Sequence, residues 1–124
     1  MHYMSSMKEK IVYVIQEIPG TQSGNPKINI MGAAKYGKIE FLLPEFSQLI
    51  FSPGPFVQKL KTLLKNASED DHYLLSGDPA IIFALGMVVG DQFNGKAKIL
   101  KWDRQEKTYY PLAINLHEKG KIDE

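Results

Sequence analysis

Three times in this chain an extended apolar run gives way to helical periodicity behind a proline, at Asn25-Pro26, Gly54-Pro55 and Asp78-Pro79. Proline suits the first turn of a helix, where its missing N–H would have no partner anyway, and Asn, Gly and Asp suit the position before it. The extended runs are Ile11-Val12-Tyr13-Val14-Ile15, Lys38 to Leu43 (KIEFLL) and Tyr73-Leu74-Leu75, all rich in β-branched, aromatic or leucine side chains. A chain that alternates strand and helix in this way is confined to the α/β class, with a mostly parallel sheet.

The helical patterns differ from one another. Residues 26–36 predict a short helix with Ile28, Met31, Ala34 and Lys35 at helical spacing, closed by Tyr36-Gly37. The second helix opens at Ser52-Pro53-Gly54-Pro55; its apolar stripe is Phe56, Val57, Leu60, Leu63 and Leu64, with Gln58, Lys59, Lys61 and Lys65 facing away. The third, Pro79 to Asn94, is apolar nearly all round, so it is either buried or part of an interface. Gly86 and Gly90 leave a bare groove along it, and Asn94-Gly95 ends it. Gln48 to Phe51 suggests a short extra strand. Ala97 to Asp103 and Tyr109 to Leu116, joined by Arg104-Gln105-Glu106-Lys107, predict a hairpin with Trp102 opposite Tyr109. The expected architecture is a three-layer, Rossmann-like sandwich with this antiparallel hairpin at its edge. It occupies one domain, residues 10–117, between a flexible segment 1–9 and a charged tail 118–124.

Composition narrows the chemistry. With 124 residues the chain can bury a core of its own, and a net charge of +1 provides no global attraction to nucleic acid or an anionic membrane. It has no cysteine, which excludes disulfides and thiol chemistry and fits a reducing compartment. Met1 to Met7 lacks the apolar core of a signal peptide, and Ala80 to Gly90 is about half the ~20 residues of a membrane span. The sequence therefore predicts a cytoplasmic protein.

Two surfaces are candidates for binding. Loops after parallel strands share one rim, where open α/β sheets take their ligands; here they carry Thr21, Ser23, Gly24, Ser52, Gly54, Ser76, Gly77 and Asp78. Helix N-termini at such a rim favour a nucleotide or phosphate, but neither GxxxxGKS/T nor GxGxxG is present, and the same residues also read as plain turns and caps. Lys98, Lys101, Trp102, Arg104, Tyr109 and Tyr110 combine rings and cations as a surface for single-stranded nucleic acid would, or equally as a charged edge hairpin. Asp70-Asp71-His72 reads as a solvated strand start, since alternation turns Asp71 and His72 to opposite faces. No metal, cofactor or catalytic set is predicted. The expected partners are another macromolecule and, through the helix over 79–94, a second copy of the chain.

Taken together, "LLPEFSQLIFSPGP", "YLLSGDPAIIFALG" and "LKWDRQEKTYYPL" resemble segments of small proteins encoded by tailed bacteriophages. The likeness spans roughly residues 11 to 116, and the hairpin is its most specific part. It implies a viral protein at work inside an infected bacterial cell, and it transfers no catalytic residue.

Overall fold

The computed structural model describes residues 8–17, 30–44 and 53–120. Its sheet has the order β2-β1-β3-β4-β5, built from β1 (Ile11–Gln16), β2 (Lys38–Leu43), β3 (His72–Leu74), β4 (Lys96–Asp103) and β5 (Thr108–Asn115). The first four strands are parallel; β5 returns antiparallel along β4. The mixed α/β class, the mostly parallel sheet and the antiparallel edge hairpin are as the sequence predicts. So is the pairing of Trp102 with Tyr109.

β1 lies at the centre, and its residues Val12 to Gln16 are buried without a break, as expected of a parallel strand covered on both faces. Alternation divides the core in two. Tyr13, Ile15 and Tyr73 pack with Leu60 of α1 (Pro53–Leu63), with Leu64 just past its end, and with Ile81, Leu85, Val88 and Val89 of α2 (Pro79–Gln92). Val12, Val14, Leu74, Leu100 and Tyr109 meet Ile30 and Ala33 on the opposite face.

That second face corrects one expectation. Where residues 26–36 predict a regular helix, the described part, Ile30–Tyr36, is a 3-10 segment. Its period of three sends Ile30, Ala33 and Tyr36 to the sheet, while Met31 is exposed. Among the described residues this segment is the only helical cover on that face. The helices also have slightly different limits: α1 begins at Pro53, ahead of Gly54-Pro55, and α2 ends at Gln92 rather than Asn94. Leu63 is exposed, outside the buried stripe, which rests on Leu60 of α1 and on Leu64 just past its end. The suggested strand over 48–51 lies outside the described residues.

Side chains join the layers at specific points. Asp78 caps α2 as its sequence implies: Oδ1 accepts the Ala80 N–H at 2.9 Å, with proline in the first turn. At the other end Gln92 Nε2 donates to the Leu64 carbonyl at 2.8 Å, which ties α2 to the end of α1. Asn94 (φ 55°) and Gly95 (φ 80°) then reverse the chain into β4.

Candidate functional site

The strand-end rim is partly assembled from fold-holding bonds. Ser76 is buried; its hydroxyl donates to the Gln16 carbonyl at 2.8 Å and accepts the Gln16 N–H at 3.2 Å. Gly77 takes φ +101°, and a Cβ there would run into the Gln16 side chain. The Asp78 N–H donates to Gln16 Oε1 at 2.8 Å. These three residues therefore stand together against β1, with several of their polar groups engaged. Gly54 lies in the exposed first turn of α1, and Thr21, Ser23, Gly24 and Ser52 lie outside the described residues. Gln16, which organises this rim, carries no motif that would have revealed it.

The hairpin residues do not form one surface. Lys98, Trp102 and Tyr109 lie on the face of the 3-10 segment; Lys101 and Tyr110, one position on, turn to the other face, and Arg104 sits in the turn. Tyr109 is buried edge-on to Trp102, their ring centres 4.9 Å apart, and its carbonyl accepts the Tyr36 hydroxyl at 3.0 Å. Lys98 is paired with Asp70 at 3.0 Å, which holds the Asp70 carboxyl below its ordinary value.

Asp71 and His72 are buried, contrary to the solvated strand start expected of them. The Asp71 carboxylate accepts the N–H groups of Ile11 at 3.0 Å and Ser68 at 2.8 Å, and it pairs with Lys8 at 2.8 Å. Lys8 and Ile11 lie on a distant segment, which is why the burial is not legible locally. His72 packs against the Tyr36 ring at 5.5 Å, and its Nδ1 is buried with no hydrogen-bond partner among the described residues. Burial, reinforced by the charges of Lys98 and Lys10, holds its pKa below the ordinary histidine value. No group of three or more metal-ligating side chains exists among the described residues.

The surface with the most unsatisfied physical chemistry is the outer face of α2. No residue from Pro79 to Gly90 has a charged or hydrogen-bonding side chain, so the face turned from the core is as apolar as the buried one. Phe83 is 73% exposed and Met87 66%. They form a ridge between two grooves. One, of about 660 Å³, runs past Gly86 and Gly90 to Leu116, itself 75% exposed, and His117. The other, of about 580 Å³, lies between α2 and α1, along Val57 and Lys61. The sequence shows the apolarity of this helix; the contribution of Leu116 and His117 depends on how β5 ends beside it. Large exposed apolar surface of this kind marks an interaction site.

The described residues thus form a small mixed α/β domain with one strongly apolar exposed helix face. A family model of Phage Pam3 gp32-like proteins matches residues 10–116, and the chain belongs to that family. No curated protein and no solved structure matches it. Among the described residues no helix is long and apolar enough to cross a membrane.

Proposed function

We propose that this phage protein acts by docking onto a viral or host macromolecule in the cytoplasm of the infected cell, without catalysis. The observation that carries this is the uncharged outer face of α2, with Phe83 and Met87 standing out from it. Exposing such side chains to water is unfavourable in a free monomer, and a macromolecular partner relieves that cost on binding. The strand order, with two α-helices on one face and the 3-10 segment on the other, supports reading the domain as a Rossmann-like three-layer sandwich that presents this helix outward. Ligand binding at the strand-end rim has less support, because Ser76, Gly77 and Asp78 are already bonded to or packed on Gln16.

The test is affinity capture from phage-infected cells with the wild-type chain, Phe83→Glu and Lys101→Glu. Both positions are exposed, so both variants are expected to fold, which a melting curve of each checks. A partner lost with Phe83→Glu and kept with Lys101→Glu supports the reading. A partner lost only with Lys101→Glu, or none captured with any form, overturns it.

A further inference from the structure

We propose that His72 is an acid-released latch on the 3-10 segment Ile30–Tyr36: when its ring takes up a proton it leaves its place behind Tyr36, and the segment lifts from the sheet. The latch lies on the face of the sheet opposite α1 and α2 and is independent of the apolar α2 surface.

Three observations carry this. The first is the position of the ring. His72 stands between Val12 of β1 and Lys98 of β4 in the parallel ladder, on the face that Ile30 and Ala33 cover. Its ring centre is 5.5 Å from that of Tyr36, whose hydroxyl donates to the Tyr109 carbonyl at 3.0 Å. The second is Nδ1, buried with no hydrogen-bond partner among the described residues. A neutral imidazole can leave one nitrogen bare, whereas both nitrogens of an imidazolium are donors. Protonation therefore buries a charge together with an N–H that has no acceptor. The third is the surrounding charge. Lys98 and Lys10, which lies just ahead of β1, both oppose a further cation. The carboxylates that favour one are engaged elsewhere: Asp70 with Lys98 at 3.0 Å, Asp71 with Lys8 and with the N–H groups of Ile11 and Ser68. The 3-10 segment brings the Tyr36 ring, with the Lys35 ammonium 5.3 Å from its centre, and no carboxylate.

The segment is also the weakest cover in the fold. Its seven residues bury only Ile30 and Ala33, and 3-10 hydrogen bonds are poorer than those of an α-helix. Opening it costs less than unfolding the core packed on α1 and α2. Closed, the ring is held neutral by burial, Lys98 and Lys10; open, it titrates at the ordinary 6.5. As pH falls through 6.5 the open form alone takes up a proton. Opening then gains up to about tenfold per pH unit, until the pKa of the closed form is passed.

The experiment is hydrogen exchange from pH 8 to 5, corrected for the intrinsic rate, on the full chain and on His72→Gln, Lys98→Gln and Asp70→Asn. Protection over residues 33–37, relative to residues 85–89 of α2, is expected to fall at least about threefold in the wild type. It should stay level in His72→Gln. Asp70→Asn lowers the closed-form pKa further and should enlarge the fall; Lys98→Gln raises it and should shrink the fall. No relative fall in the wild type overturns the latch, as does an equal fall in His72→Gln. If His72→Gln does not fold, the other two variants decide, since both alter partly exposed side chains and keep the histidine. A fall that neither changes, or that both change in the same direction, overturns the latch as well.

Discussion

Ser76 and Gln16, sixty positions apart, close the sheet's central strand pair by exchanging two hydrogen bonds through one hydroxyl. The order of strands reverses at this point, with β2 on one side of β1 and β3 on the other. Such a switch point often opens into a ligand crevice. Here the Ser76 hydroxyl, and behind it the Gln16 side chain bonded to the Asp78 N–H, hold β1 to the entrance of α2.

Ser76→Ala should therefore behave as a core mutation. It leaves the Gln16 N–H and C=O without the hydroxyl that serves both, in a buried setting. The expected loss of stability is about 1–3 kcal/mol. Denaturant unfolding checks it, with a lowered midpoint and an unchanged slope. A change within about 0.5 kcal/mol, the range of an ordinary surface substitution, would show that Ser76 is free for another role.

Asp71 supplies a second connection of the same kind at the other end of the sheet. Asp71→Ala removes the acceptor for Ile11 N–H and Ser68 N–H and the partner of Lys8. Loss of one side of a buried charge pair costs about 3–5 kcal/mol; Lys8 is partly exposed and can rehydrate, so the expected loss is about 2–4 kcal/mol. Hydrogen exchange locates it: protection at the Ile11 amide should fall more than protection in β5. A uniform loss of protection would mean that Asp71 acts on global stability alone.

These two residues also show which parts of the molecule were legible in the sequence. Local signals carried far. Proline behind a capping residue marked the start of α2, and a four-residue turn fixed Trp102 opposite Tyr109. The phage resemblance agrees with the family match over residues 10–116. What was not legible depends on partners distant in sequence. Asp71 looked solvated because Lys8 and Ile11, which bury it, belong to another segment. The 3-10 segment was misread because its packing on Tyr109 and its neighbours, rather than intrinsic periodicity, selects Ile30, Ala33 and Tyr36. Of the candidate site, the apolar circumference of α2 was visible, and the groove toward Leu116 was not.

His72 should make stability depend on pH between neutrality and the carboxylate range. Burial first, then Lys98 and Lys10, lower its pKa from 6.5 in the folded chain, with Asp70 and Asp71 opposing them. As pH falls through 6.5 the unfolded chain takes up a proton that the folded chain refuses, so stability declines. The decline stops once pH is below the folded pKa. Melting temperatures from pH 8 to 5 should show this fall, and His72→Gln should flatten it. An equal slope in the variant would place the dependence elsewhere.

Tyr73 should set the alkaline limit. Its hydroxyl is buried without a hydrogen-bond partner among the described residues, and its ring stacks on Tyr13 with centres 5.5 Å apart. Burial, then Tyr13 and Asp71, raise the Tyr73 pKa above 10.0; burial, then Asp71 and Glu40, push Tyr13 up to about 12. Above pH 10 the unfolded chain releases phenolic protons that the folded chain retains. The stability linked to these groups is therefore fully present below that pH and is lost as pH rises toward and through the folded values. Tyr73→Phe keeps the ring and removes both the titrating proton and the unpartnered hydroxyl. At neutral pH it should raise stability by about 1 kcal/mol, because burying an unsatisfied hydroxyl is unfavourable and phenylalanine buries none. Between pH 9 and 11 the variant should lose less than wild type, with Tyr13 accounting for the decline that remains. Denaturant midpoints at neutral and alkaline pH measure both effects. A neutral-pH loss of about 1 kcal/mol or more would show that the hydroxyl has a partner in solution, such as a buried water.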